Sequence, residues 1–501
     1  MLTIENEETC TIAPDNMSPF LTGAFKPNFK EYTATSDSLQ ITGEIPSDLH
    51  GVYVRNTHNQ VHEPLGKYHP FDGYGMLHAM YFEHGRAEYR NRFVHTTGFL
   101  AEKGAGKSLW PGILEPDQRA FRGWGAIGAM KDNAGTDVIC HAGKLLATMS
   151  QGSEPWRLDP ITLENLGPDP RLARIVGYDG IAGEFKVDTH TGDMIFLNYP
   201  ENPPCINVGI ADANGNVRDY RRIDLPSARW PHDLGITENF IIVHDLPLFF
   251  DPELLAQGKR ELKFFPNLPS RFGIIPRADL HAEVQWFESE PVFILHSANY
   301  YEQNGTVVMD SCVSFDPKGP GVSETEDHNA RIMAHLDKHE TKTRLHRFVF
   351  DLTSGATSLT KLSDEIVEFP VCANHVKGYP YQFAYASLFE PGQWLMNGLM
   401  KFDLSNATTN LYEYGEQCYG GEVHFAARKN STAEDDGYLI VFVQDLKNDK
   451  SECQILDAQA IEQGPVCRIQ LPERIQTGTH ACWVEGHRLE GEQPSIKARS
   501  V

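Results

Sequence analysis

The side chains best suited to chemistry in this sequence are histidines. There are 21 of them, and a lone histidine is more often a core or surface residue than a ligand, so context must separate them. Three stand at or beside short strand-like runs: His232 in Pro231-His232-Asp233-Leu234-Gly235-Ile236-Thr237-Glu238, His296 in Phe293-Ile294-Leu295-His296-Ser297-Ala298-Asn299-Tyr300-Tyr301-Glu302, and His480 in Gly478-Thr479-His480-Ala481-Cys482-Trp483. A neutral imidazole gives one ring nitrogen to a metal while the other is held by a neighbour. Groups so far apart in the chain share one ion only if the fold carries them to a common point.

The elements that must do this are strands. Helical periodicity is scarce, and short apolar runs separated by turn dipeptides recur throughout. Strands are expected over Lys144–Met149, Trp156–Leu158, Asp193–Tyr199, Val208–Ala211, Val217–Ile223, Gly305–Phe315, Leu345–Thr353, Trp394–Leu404, Tyr438–Gln444 and Glu452–Leu456. Several share one plan, a strand ending in Asp followed by a tight turn: Asp159-Pro160-Ile161-Thr162, Asp188-Thr189-His190-Thr191-Gly192, Asp351-Leu352-Thr353-Ser354-Gly355 and Asp403-Leu404-Ser405-Asn406. Hairpins recurring over hundreds of residues suit a β-propeller, whose radial repetition leaves only short sheet edges, better than one open sheet. A pair of β-sandwiches is the alternative. No linker rich in Gly, Ser or Pro divides the chain, so residues 1–501 are read as one domain.

Composition removes several function classes. The chain is 41% hydrophobic and 22% charged, which is globular, and its formal net charge of -24 with no Lys/Arg-rich run argues against nucleic acid. Nine scattered cysteines without a C-x-x-C pair argue against a disulfide framework or a zinc-thiolate site, and for a reducing compartment. Met1 to Asn16 is acidic and polar rather than leader-like, so the expectation is a cytoplasmic protein. The stretch Leu246–Ile275 crowds Leu248, Phe249, Phe250, Leu254, Leu255, Leu262, Phe264, Phe265 and Leu268 into a Pro-punctuated loop. It reads either as buried packing or as an apolar patch that touches a bilayer or admits a lipophilic substrate.

The three histidine phrases, in their order and spacing, resemble iron-histidine motifs of the carotenoid cleavage oxygenases. The likeness extends over Gly43-Glu44-Ile45-Pro46-Ser47-Asp48-Leu49-His50-Gly51-Val52-Tyr53-Val54-Arg55-Asn56, His141-Ala142-Gly143-Lys144-Leu145, Gly273-Ile274-Ile275-Pro276-Arg277 and Glu368-Phe369-Pro370. The phrase Ala101-Glu102-Lys103-Gly104-Ala105-Gly106-Lys107-Ser108-Leu109 is most similar to the lignostilbene and isoeugenol branch. The resemblance implies an all-β, seven-bladed propeller with a dome of loops and short helices. It also implies Fe(2+) on the axis, held by four histidines from inner strands, and an apolar tunnel leading to it.

The sequence departs from that pattern at several places. The family's first iron histidine precedes a Lys-x-Asp-x-x-Thr-Gly turn by two residues, and Gly183-Glu184-Phe185-Lys186-Val187-Asp188 puts Glu184 there. A slipped register would use His190 instead, although it falls within the reversing turn. A carboxylate is a competent iron ligand that lowers the site's charge by one and favours ferric iron; the other reading is that Glu184 marks a lost metal role. The family's orienting glutamates correspond to Glu368, Glu422 and, in Ser150-Gln151-Gly152-Ser153-Glu154-Pro155, to the uncharged Gln151. The family's Gly-Asp-Gly-Met is Gly73-Tyr74-Gly75-Met76. Phe71 and Thr136 correspond to residues that pack on substrate and narrow access to iron. The tyrosine and lysine that hold a phenol in stilbene cleavers are absent from Gly112-Ile113-Leu114 and Thr148-Met149-Ser150, which favours an apolar polyene or an unsubstituted aryl alkene.

The resemblance thus implies an Fe(2+)-dependent dioxygenase that splits a C=C bond of an apocarotenoid or stilbene-like substrate with O2, giving two carbonyl products. Its ligands would be Glu184, His232, His296 and His480. The rival reading is a family member that lost oxygen chemistry and acts as a lipophile binder or a non-oxidative isomerase.

Overall fold

The computed structural model describes residues 1–113, 131–150, 152–201, 203–257, 261–319 and 327–489. Seven antiparallel sheets of four or more strands form the blades of a propeller, with one two-stranded hairpin beside them. The first blade is built on Gly51–Asn59, Tyr74–Glu83 and Arg86–Phe93, and it takes its inner strand, Gly478–Glu485, from the far end of the chain. The remaining inner strands begin the second to seventh blades: Asp137–His141, Lys186–Val187, Leu234–Ile236, Phe293–Gln303, Val367–Val371, and the pair Cys418–Tyr419 and His424–Ala427.

Two strands lock the ring. Gly478–Glu485 pairs with Gly51–Asn59 on the inside of the first blade, and Ile41–Gly43 pairs with Pro465–Gln470 on the outside of the seventh. The first and seventh blades are thereby each completed by hydrogen bonds between distant parts of the chain, which closes the ring.

Burial follows position in the blade. Gly51–Asn59 is buried at every residue, because both its faces meet neighbouring blades, whereas Arg86–Phe93, further out, alternates buried with exposed or half-buried residues. Between blades the core is continuous. Ile195, Leu197 and Val208 of the third blade, Ile242 and Phe272 of the fourth, and Met309 and Phe348 of the fifth belong to one apolar cluster.

The Asp-ended turns form as their chemistry requires. The carboxylates of Asp159, Asp188, Asp351 and Asp403 each accept the backbone N–H groups two and three residues on, the local bond that makes Asp a turn residue. The apolar loop is mainly packing. Leu248–Phe250 and Leu262–Phe264 make the two-stranded hairpin, with Leu248, Phe249, Phe250 and Leu262 buried and Leu268 exposed. No helix among the described residues is long and apolar enough to cross a membrane.

Candidate metal centre

Every blade sends a side chain to one place on the axis. His480 comes from the first blade, Asp137 from the second, Glu184 from just before the third blade's inner strand and His232 from just before the fourth's. His296, Glu368 and Glu422 come from the fifth, sixth and seventh. The inner strands are irregular where this happens. Register shifts fall across His296 and His480 and directly after Glu368, and such bulges turn a side chain off the regular alternation and toward the axis. Glu184 and Phe369 lie in the left-handed region, at φ 69° and 52°, a conformation that costs a non-glycine residue about 1 kcal/mol or more and persists only where surroundings enforce it. For Glu184 one constraint is visible: its N–H donates to Asp137 Oδ2 at 3.0 Å.

Glu184, His232, His296 and His480 form a buried cluster whose ligand atoms all lie within 4.8 Å of one another. Glu184 Oε1 is 2.6 Å from His480 Nε2, 3.7 Å from His296 Nε2 and 3.8 Å from His232 Nε2. His296 Nδ1 donates to Glu368 Oε2 at 2.5 Å, and His480 Nδ1 faces Glu422 Oε1 at 3.4 Å, so the glutamates fix the tautomers that turn Nε2 inward. The Nε2 atoms of His232 and His296 then stand 3.2 Å apart. Three imidazole nitrogens and a carboxylate oxygen drawn this close are a donor set that fits a bound cation. The Nδ1 of His232 has no hydrogen-bond partner among the described residues, and Gln151, assigned behind the ligands by the sequence, lies outside them.

The electrostatics follow from burial and pairing. Burial opposes ionisation of Glu184, but His480 and Lys186 more than reverse it and hold the carboxyl well below its ordinary range. Burial likewise disfavours a charged His480, yet Glu184 and Glu422 raise its pKa well above the usual imidazole value. His232 is driven the other way, by burial and then by its imidazole neighbours. Lys186 was quoted within the turn phrase but given no role by the sequence. Its Nζ lies 3.3 Å from Glu184 Oε2 and 2.7 Å from Asp233 Oδ1, so the negative charge that Glu184 adds is offset by a neighbouring ammonium.

His190 is not part of the cluster. It is exposed in its turn, with Nε2 2.9 Å from the carbonyl of His375. Tyr74 is also elsewhere, buried in the first blade with the Lys131 ammonium 4.1 Å from its ring centroid. Phe71 and Thr136 both line an apolar cavity that reaches His232, His296 and His480. Its walls include Trp230, Phe293, Phe369 and Trp394, and the hairpin contributes Phe250 and Leu262. Ile113 and Ser150, from the two phrases read as lacking a phenol-holding tyrosine and lysine, line it; Leu114 is outside the described residues. A second, larger cavity also reaches Glu184, His296 and His480, lined in part by Lys186, Asn299, Glu422 and Arg488. Sequence reasoning missed Lys338 and His335 in the cavity wall. No motif marks them, since they stand at the end of a helix and in the loop that follows it.

Comparison with known proteins agrees with this architecture. Residues 25–485 match the family model described as RPE65, retinal pigment epithelial membrane protein. A carotenoid 9,10(9',10')-cleavage dioxygenase of Crocus sativus is 30% identical over 513 residues, covering 95% of this chain and 91% of that protein. An isoeugenol monooxygenase of Pseudomonas nitroreducens is 29% identical, over 93% of this chain and 98% of the relative. The crystal structure of Pseudomonas brassicacearum lignostilbene dioxygenase superimposes with a TM-score of 0.83 at 26% identity, covering 95% of this chain and 100% of that one. By sequence, by its seven blades and by the axial position of its cluster, the chain belongs to the RPE65 and carotenoid oxygenase family.

Proposed function

We propose that the chain is an Fe(2+)-dependent oxygenase that cleaves a C=C double bond of an apocarotenoid, stilbene-like or aryl-alkene substrate into two carbonyl products. The observation that carries this is the approach of three imidazole nitrogens and one carboxylate oxygen to within 4.8 Å of one another, beside an apolar cavity. Relatives named as a carotenoid cleavage dioxygenase, an isoeugenol monooxygenase and a lignostilbene dioxygenase support the reaction class.

Glu184, His232, His296 and His480 would hold the iron, which supplies activation of O2 when bound. The chain's own groups do the rest. Glu368 and Glu422 keep the Nδ1 protons of His296 and His480, so that Nε2 remains the donor atom. Lys186 engages Glu184 Oε2, which leaves Oε1 for the cluster. The Phe71, Trp230, Phe369 and Trp394 side chains give a conjugated substrate apolar surface and keep bulk water from the reacting bond.

One contact favours the second reading. Glu184 Oε1 and His480 Nε2 at 2.6 Å pair a carboxylate with an imidazole without a metal, as a lipophile binder or a non-oxidative isomerase would allow. Metal analysis after ferrous reconstitution separates the two. The oxygenase reading expects close to one iron per chain and aldehyde products from a polyene or stilbene panel. Iron far below that, with no cleavage, would falsify it. Glu184→His sharpens the result: iron occupancy and activity rise if the carboxylate is a degraded ligand, and activity falls if it is a tuned one.

A further inference from the structure

The cavity wall holds a buried cation that the proposed chemistry does not use. Lys338 is 6% exposed and lines the same cavity as His232, His296 and His480. Among the described residues no carboxylate lies within ion-pairing distance of its ammonium, and the contact found for Nζ is the face of Trp394, 4.9 Å from the ring centroid. A buried ammonium without an anionic partner is costly, and an indole face returns only part of what water supplied. Burial accordingly pulls its pKa down, with Glu368, Cys312 and Asp337 offsetting part of the effect. The nearest acid in sequence, Asp337, is committed elsewhere, its oxygens accepting from the N–H groups of His339 and Gly392.

The rings between this lysine and the metal cluster are continuous. Trp394 packs on Phe369 at 5.7 Å between centroids, and Phe369 packs on His296 at 4.7 Å and His480 at 5.1 Å. A flat conjugated molecule along that aromatic wall would have one end at the imidazoles and the other at Lys338.

We propose that Lys338 is a specificity-determining residue that binds an anionic oxygen, carboxylate or phenolate, at the end of a conjugated alkene whose double bond lies at the cluster. The inference rests on the oxygenase reading for the fate of that double bond, but not for the binding. It revises the substrate preference drawn from Gly112-Ile113-Leu114 and Thr148-Met149-Ser150: those phrases lack the family's phenol-holding residues, yet the cavity has a cation in its wall.

The test is a tryptophan-fluorescence titration of the full-length protein, before and after ferrous reconstitution, with trans-stilbene, 4-hydroxystilbene and stilbene-4-carboxylate. The expected order at neutral pH is carboxylate tightest, then the phenol, then stilbene. Lys338→Met should lose ten-fold or more for the carboxylate and leave stilbene unchanged, and Lys338→Arg should restore the preference. Carboxylate gain without phenolate gain would assign the site to carboxylates, and the reverse to phenolates. Equal affinity of the parent protein for stilbene and both oxygenated ligands overturns the proposal. So does an equal loss for all three ligands in Lys338→Met, which would mark a packing role. A fall in iron retention in Lys338→Met as large as in Glu368→Gln also overturns it, since the lysine would then serve Glu368. Absence of cleavage with the binding preference intact would instead sink the oxygenase reading alone.

Discussion

Two lysines sit near the cluster, and the protein treats them in opposite ways. In the wall of the larger cavity Lys186 lies between Glu184 and Asp233, at 3.3 Å and 2.7 Å. Burial lowers its pKa, and Asp233 and then Glu184 more than reverse that. In the wall of the apolar cavity Lys338 has an indole face and no paired acid among the described residues, and burial wins. A paired interior charge holds the fold's own parts in place; an unpaired one is a cost that a ligand of opposite charge would remove.

The sharpest way to break this contrast is to delete each cation in turn. Lys186→Met takes the ammonium away from two buried carboxylates, leaving Glu184 with His480 and Asp233 with the N–H groups of Leu234 and Ser297, and the expected loss is about 3–5 kcal/mol in chemical denaturation. A loss under about 1 kcal/mol would mean that the pairing is not structural.

A buried acid tests the same rule with the sign reversed. Asp132 is fully buried, accepts one bond from Trp156 Nε1 at 2.8 Å, and is pushed up to about 7 by burial, which that bond only partly opposes. The folded state therefore keeps its proton up to about pH 7 while the unfolded chain releases it near 4. Across that window the native state binds more protons, so stability falls as pH rises, by roughly 4 kcal/mol for this group. Asp132→Asn should remove that share of the slope and leave the protein more stable near pH 8, as pH-dependent unfolding would show. An unchanged slope would contradict the assignment.

Smaller effects are expected from the residues that orient the ligands. Glu368→Gln keeps an acceptor near His296 Nδ1 but removes the charge, and iron affinity should fall about 10–100-fold. Equilibrium dialysis against a chelator measures this, and stilbene binding in the cavity should not change. Smallest of all, Lys338→Met should shift unfolding by no more than about 1 kcal/mol, because losing an unpaired buried charge offsets the lost indole contact. Equal destabilisation by Lys186→Met and Lys338→Met would erase the contrast.

Much of this was legible in the chain, and the reasons are local. The strand at Trp156–Leu158 forms with the bounds its apolar run suggested, and Val217–Ile223 forms as Val217–Asp224, because alternation and turn chemistry act over a few residues. Asp159, Asp188, Asp351 and Asp403 announce their turns for the same reason. Glu184, His232, His296 and His480 were nameable from the phrases around them, as were Glu368 and Glu422, and His190, the alternative under a slipped register, stands in its turn outside the cluster. Lys186 stood in a quoted phrase without a role, since sequence spacing does not reveal that Asp233, in another blade, would meet it.

The sequence by itself thus determined many of the strands and their turns, because those depend on near neighbours and on residue type, and its family resemblance named six of the seven axial side chains but not Asp137. Tertiary structure alone decided which groups face one another. Closure pairs Ile41 with Ile469 and Ala481 with Arg55, and bulges at His296 and His480 and directly after Glu368 aim them inward. It also left Lys338 beneath Trp394 without an acid. Coulomb energy, desolvation and metal ligation depend on distances of a few ångströms across the ring, and those distances exist only after seven blades have closed around one axis.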